Sequence, residues 1–344
     1  MKKAWQPLFL AFLVGATILI IRQQRNMPFQ HNKGMVFGTF YNVTYQNDSD
    51  LKEEIETELK KVDNALSMFN PTSVISRINN GAVNIDDTEE GSMFIEVCQV
   101  AQHISEETHG AFDITVAPLV NLWGFGFRNN ESPSAHAIDS IRQFTGYQLI
   151  HLDTKKKTLT KRDSRTMLDC SAIAKGYGCD VVARLLQAHD IKNFMIEIGG
   201  EVVTKGINEK RMPWRIGVVK PTEDSLDTAH EVMDVLNVTD KAMATSGNYR
   251  NFYYKNGKRY AHTIDPHTGK PVQHSILSAT VIADRCSTAD AYATAFMVMD
   301  IDGAKRVLEK HTELMAYLIC SAADGTYTIW TSPSMDGKIL DKNH

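Results

Sequence analysis

His262 and Asp265 stand close together in Tyr260-Ala-His-Thr-Ile-Asp-Pro-His-Thr-Gly269, at a strand end that runs into a Pro-His-Thr-Gly turn. An imidazole and a carboxylate in one small region supply a proton acceptor and a charged partner for it. A surface turn with incidental histidines is the competing reading. Zinc is set aside, because no cysteine or third histidine lies at ligand spacing. Ser287-Thr-Ala-Asp-Ala-Tyr-Ala-Thr-Ala295 starts a helix on which Asp290 and Thr294 share a side. One carboxylate and one hydroxyl facing the same way are oxygen donors of the kind that Mg²⁺ takes, completed by backbone carbonyls, water or substrate phosphates. The same string also reads as a capping box, Ser287-x-x-Asp290, with Thr294 bonded back to a carbonyl.

In Leu168-Asp-Cys-Ser-Ala-Ile-Ala-Lys-Gly-Tyr177, Asp169 at a strand end meets a helix start that carries Lys175. Free N–H groups, the positive end of the helix dipole and a lysine suit an anion, although Asp169 also reads as a simple cap. Ala111-Phe-Asp-Ile-Thr115, running on to Leu122-Trp-Gly-Phe-Gly126, interrupts aromatics with turn residues and could line a planar ligand or simply bury Trp123. Met195-Ile-Glu-Ile-Gly-Gly-Glu201 closes a strand on two glycines, which permit close backbone approach or a plain hairpin flanked by Glu197 and Glu201.

The elements that must position these residues alternate in type. Met35 to Gln46 reads as one strand. Asp50 and Glu53 form a capping-box pattern before a helix with Ile55, Leu59, Val62 and Leu66 on one face. Helices are expected over Glu89 to Thr108, Ser134 to Phe144, Ala172 to Ala188, Ser287 to Met299 and Asp302 to His311. Strands are expected at Tyr147 to Leu152, Thr158 to Lys161, Phe194 to Ile198, Val202 to Lys205, Trp214 to Val219, Val232 to Val238, Tyr249 to Tyr254, Ile276 to Ala283, Ala316 to Cys320 and Thr326 to Trp330. Consecutive strands with short connections argue for an α+β fold, with mixed or antiparallel sheets flanked by helices.

The chain has 344 residues, 37 Lys plus Arg against 41 Asp plus Glu, and 43% hydrophobic residues. That is enough to bury a large core, and with no basic excess nucleic-acid binding is set aside. Five cysteines without Cys-x-x-Cys spacing argue against a disulfide framework or zinc ribbon. Leu8 to Ile21 carries no charge and lies between Lys2, Lys3 and Arg22, Arg25. It reads as an uncleaved signal-anchor over residues 1–25, with a cleaved signal peptide as the rival. A polar linker over 26–34 and one globular body over 35–335 on the exported side are expected to follow. The first cysteine is Cys98, so acylation of a cysteine just after the apolar run has no target.

In order, Phe37-Gly-Thr, Leu66-Ser-Met-Phe-Asn-Pro, Ala111-Phe-Asp with Trp-Gly-Phe-Gly, Leu168-Asp-Cys-Ser-Ala-Ile-Ala-Lys-Gly-Tyr, Ile198-Gly-Gly-Glu, Thr245-Ser-Gly-Asn-Tyr, His262-Thr-Ile-Asp-Pro-His-Thr-Gly and Ala289-Asp-Ala-Tyr-Ala-Thr resemble the ApbE family, from about Met35 to Trp330. The resemblance implies an FAD:protein FMN transferase. Such an enzyme, with Mg²⁺, splits the FAD pyrophosphate and attaches FMN through a phosphoester to a threonine or serine of an exported or membrane flavoprotein. It implies flavin-nucleotide contacts from Phe37, Phe69, Ala111, Phe112, Asp113, Asp169, Lys175 and Ile264. It also implies metal ligation by Asp290, Thr294 and the carbonyl of Ala172, and His262 as base for the acceptor hydroxyl. Phe37 and Phe69 stand where the family often has Met and Tyr, so stacking is kept and a phenolic hydroxyl is not. The alternative class is an exported FAD pyrophosphatase or flavin-binding scavenger that releases FMN and AMP.

Overall fold

Phe37 and Gly38, at φ +51° and +73°, form a two-residue turn that closes a hairpin of β1 (Phe29–Val36) and β2 (Thr39–Gln46). Positive φ at both turn residues matches the twist of the flanking strands, so the single strand expected from Met35 to Gln46 is instead a pair. In the computed structural model, which describes residues 9–17, 27–125, 133–221, 231–248, 252–255, 258–322, 324 and 326–340, this hairpin also corrects the expected linker over 26–34. The polar residues that suggested a linker are tied down: Tyr45 hydroxyl donates to Asn32 Oδ1, and Asn32 Nδ2 donates to Asp50 Oδ1. Asp50 also accepts from the Lys52 N–H, and this replaces the expected capping box with Glu53.

Six more strands extend the sheet: β3 (Phe194–Ile198), β4 (Glu201–Lys205), β5 (Ala242–Gly247), β6 (Ile276–Ala283), β7 (Met315–Ser321) and β8 (Tyr327–Thr331). Their order across the sheet is their order in the chain, and every neighbouring pair is antiparallel. An antiparallel neighbour can be reached by a hairpin or by a long excursion that returns to the same edge. The β2–β3 excursion carries α1 (Lys52–Leu66), α2 (Glu89–Glu107) and α3 (Ser171–Ala188); the β6–β7 excursion carries α4 (Cys286–Val298). A small sheet, 215–219 with 232–237, fills the β4–β5 connection, and Ile339–Leu340 pairs with it, which carries the body past residue 335.

Helix α1 buries Ile55, Leu59, Val62, Ala65 and Leu66, and α2 buries Phe94, Val97, Cys98, Ala101 and Ile104, the spacing of one helical face. Helix α4 is buried on nearly every side, against β5, β6 and α3. Its start is capped from outside. Asp180 on α3 accepts from the N–H of Cys286 at 2.7 Å, the N–H of Ser287 at 3.0 Å and the Ser287 hydroxyl at 2.6 Å. The capping-box reading of Ser287 and Asp290 is therefore corrected, and Asp290 is left for other work. Gly176 explains how closely the two helices meet, since a Cβ there would stand 2.4 Å from the Cys286 carbonyl oxygen.

Residues 9–17 are helical, and among the described residues no helix is long and apolar enough to cross a membrane. Most of the apolar run's flanks and Tyr249, the start of an expected strand, lie outside the described residues.

Candidate active site

A cleft of about 1950 Å³ opens where the β1–β2 turn, the loop after α2, the start of α3, the β3–β4 turn, the residue 262–264 segment and α4 converge. It brings together Phe37, Phe69, Ala111, Phe112, Asp113, Asp169, Ala172, Lys175, His262, Ile264, Asp290 and Thr294. Asp265 does not join them. Its Oδ1 accepts from the backbone N–H of His267 at 2.9 Å and faces His267 Nδ1 at 3.1 Å, so it stabilises the turn rather than partnering His262. Sequence proximity missed this because the Pro266 turn folds the carboxylate back onto the residue two positions on.

The floor of the cleft is charged. Lys175 Nζ donates to Glu201 Oε1 at 3.0 Å and lies 4.0 Å from Asp290 Oδ1, while the Gly176 N–H donates to Asp290 Oδ2 at 3.0 Å. Burial raises the Asp290 pKa, and it pushes Glu201 up to about 8, with the Asp290 charge adding to the effect. Burial opposes the Lys175 charge, but Asp290 and Glu201 together outweigh it and hold the ammonium more firmly than in a free lysine. One lysine thus faces two buried carboxylates, and the upward shifts of both mean that the pocket favours taking up a further positive charge, whether a proton or a cation.

The donors around that cluster are all oxygen. Thr294 Oγ1 lies 3.1 Å from Ser246 Oγ, one helical turn along from Asp290. In a regular helix the Gly176 N–H bonds the carbonyl of Ala172; here that N–H reaches Asp290, so the Ala172 carbonyl does not hold its donor alone. Glu201 Oε2 is buried with no hydrogen-bond partner. Carboxylate, hydroxyl and carbonyl oxygens in a pocket that favours a further positive charge fit a hard divalent cation such as Mg²⁺. No group of three or more His, Cys, Asp or Glu residues that could hold a metal occurs among the described residues, so a cation here would need hydroxyl and carbonyl oxygens as well.

The walls are built from turns. Asp113, mostly buried, accepts from the Thr115 N–H and hydroxyl, each at 2.7 Å, and from the Tyr147 N–H at 2.8 Å. Its carboxylate thereby shapes the loop that the cleft uses. The Asp169 N–H donates to the Ile114 carbonyl at 2.7 Å, joining that loop to the approach of α3, and Asp169 Oδ1 accepts from the Ser171 N–H. Phe37 packs its ring on α3, where a Cβ on Gly178 would come within 2.7 Å of it. Phe69, by contrast, is 79% exposed at the rim, where its ring offers an apolar face to a planar ligand. Trp123 is in the core, its indole N–H donating to the Gly269 carbonyl at 2.7 Å, and among the described residues of Leu122-Trp-Gly-Phe it is Phe125 that reaches the cleft, edge-on to His262. The His262 segment is moored through Thr263, whose hydroxyl donates to Asn248 Oδ1 at the end of β5.

Two participants escaped the sequence reading. Glu201 stood in the Gly-Gly-Glu string as a hairpin flank, and Ser246 stood in Thr-Ser-Gly-Asn without a role; only the sheet order brings them beside Lys175 and Thr294.

A sequence model described as the ApbE family matches residues 37–319. The FAD:protein FMN transferase of Vibrio cholerae is 37% identical over 303 residues, covering 86% of this chain and 88% of that one. The FAD:protein FMN transferase of Escherichia coli K12 is 32% identical over 321 residues, covering 91% and 90%. Among solved structures, the flavin transferase ApbE from Vibrio cholerae superposes with a TM-score of 0.80 at 34% identity, covering 91% of this chain and 99% of that one. The Pseudomonas stutzeri flavinyl transferase ApbE superposes with a TM-score of 0.79 at 30% identity, covering 90% and 96%.

Proposed function

This chain belongs to the ApbE family, and from that premise we propose how its cleft performs the transfer. The activity is that of an FAD:protein FMN transferase: FAD is the substrate and a protein receives the FMN. The finer reading is a Mg²⁺-dependent attack by a threonine or serine hydroxyl of an acceptor flavoprotein on the FMN phosphorus. The hydroxyl proton goes to His262, the new phosphoester bond forms, the phosphoanhydride bond breaks and AMP leaves. A bound Mg²⁺ would supply charge neutralisation at the phosphates. Asp290, Thr294 and the Ala172 carbonyl would hold it, and Lys175 would meet the phosphate charge from the other side. Phe69 and Phe37 offer apolar faces, Ala111, Phe112, Asp113 and Ile264 shape the wall, and Asp169 sits at the helix start beside the nucleotide.

The observation that carries this reading is the convergence on one cleft of His262, Lys175 and the oxygen donors of Asp290 and Thr294. Incubation with FAD, Mg²⁺ and a threonine-bearing acceptor peptide is expected to give an FMN adduct by mass spectrometry. Release of FMN and AMP with no adduct on any acceptor tried would favour the scavenger reading instead. Lys175→Ala is expected to weaken FAD binding by about 1–3 kcal/mol, the worth of one charge-assisted hydrogen bond. Calorimetry on a folded variant with the parent's affinity would remove Lys175 from the phosphates.

The apolar, charge-free Leu8 to Ile21 run supports a further element of the reading: a single-pass anchor in the inner membrane with the body on the exported, periplasmic side. Retention of the full chain in membranes after an alkaline wash checks it; release into the supernatant counts against the anchor.

A further inference from the structure

Glu201 is 3% exposed, and its two oxygens differ: Oε1 accepts from Lys175 at 3.0 Å, whereas Oε2 has no partner. The preceding turn, Gly199 and Gly200 at φ +62° and +105°, grips the lysine stem. A Cβ on Gly199 would stand 3.1 Å from Lys175 Cδ and 2.8 Å from Thr39 Cγ2, so only glycine lets the turn close there. Asp290 is the next carboxylate within reach of the ammonium, at 4.0 Å. A partly buried lysine between two buried carboxylates settles on whichever charge is left when one is removed, because an unpaired charge at the edge of the core is costly.

We propose that Glu201 is a positioning residue, which holds the Lys175 ammonium off Asp290 so that Asp290 keeps an oxygen open to a divalent cation. The proposal rests on the reading of Asp290 as the cation's carboxylate. With Glu201 in place, lysine and cation do not compete for one group, and the ammonium stays at the cleft floor facing the substrate phosphates. Without the Glu201 charge, Lys175 closes onto Asp290 and the cation must displace it.

The test is calorimetric titration of Mg²⁺ into the full-length protein without FAD, using the parent, Glu201→Gln, Lys175→Met, the double variant and Asp290→Asn. Glu201→Gln is expected to weaken Mg²⁺ binding about tenfold or more, as an ion pair relocates to Asp290 at this separation. That penalty should vanish in the Lys175→Met background, and Glu201→Asp, which keeps the charge, should recover much of the affinity. A penalty of equal size in both backgrounds would show Glu201 acting directly on the cation, and parental affinity in Glu201→Gln would show it idle; either overturns the proposal. If Glu201→Gln does not fold, Glu201→Met takes its place, since an apolar side chain leaves no buried amide unpaired: a Mg²⁺ penalty present with Lys175 and absent with Lys175→Met supports the proposal, and no penalty, or an equal one in both backgrounds, overturns it. Asp290→Asn separates the two layers, since unchanged Mg²⁺ binding in that variant sinks the cation reading itself, whatever Glu201 does.

Discussion

Asp290→Ala is expected to abolish FMN transfer and any Mg²⁺-stimulated FAD hydrolysis together, by at least about 10³-fold, the loss of several kcal/mol of charge stabilisation at the phosphates. Both reactions break the same phosphoanhydride bond, so both need its charge screened. Asp290 is the carboxylate that α4 presents to the cleft, two per cent exposed and already tied by one oxygen to the Gly176 N–H. Removing it also takes one acceptor from that buried N–H, at a cost of about 1 kcal/mol in stability. Asp290→Asn controls for this, since the amide oxygen still accepts from Gly176 while the charge is gone. Excess Mg²⁺ should rescue either variant only partly, because Thr294 and the Ala172 carbonyl bring no charge. Steady-state transfer and FAD hydrolysis, measured across a Mg²⁺ series beside thermal melting, provide the check. An Asp290→Asn protein that keeps Mg²⁺-dependent turnover would show that this carboxylate merely joins two helices.

How much of this was legible follows from which contacts are local. The helical faces of α1 and α2, the Ile276–Ala283 strand and the helix start after Asp169 could be read because their side-chain periods or turn residues lie within a few positions, although Asp169 itself lies on an irregular approach and not at a strand end. The hairpin of β1 and β2 was hidden by Phe37, a bulky residue at positive φ where a turn ordinarily shows glycine or asparagine. The cap of α4 was hidden for a different reason: Asp180 comes from another helix more than a hundred residues upstream, and nothing near Cys286 announces it. The same holds for the Lys175, Glu201 and Asp290 cluster, which exists only because Gly176 lets α3 touch the start of α4 while the β3–β4 turn closes from the sheet. Residue type and order were sufficient to suggest a family and its candidate groups. The preference for a further positive charge that makes the site suit a cation is a property of packing, since it arises from burying two carboxylates around one ammonium.

Substitution of His262 should fail in another way: transfer slows by about 10²–10⁴-fold, the usual worth of a general base, while FAD and Mg²⁺ still bind. The imidazole lines the cleft on a segment moored to β5 by Thr263 and Asn248, and it meets Phe125 edge-on, 6.5 Å between ring centres. It stands apart from the Lys175 and Asp290 cluster in function, so its loss leaves phosphate and cation binding intact. Asp265 provides the internal control. Because its carboxylate is spent on the His267 N–H and faces the His267 ring, Asp265→Asn should leave the transfer rate near that of the parent. A rate loss as large as that of His262→Ala would mean that the two act as a pair after all. His262→Ala with added imidazole is the sharper experiment, since a small diffusible base can enter an open cleft and restore part of the proton transfer. If His262→Ala transfers FMN at the parent rate, the acceptor proton leaves by another route and the base assignment is wrong; if FAD affinity falls with the rate, His262 holds the nucleotide instead.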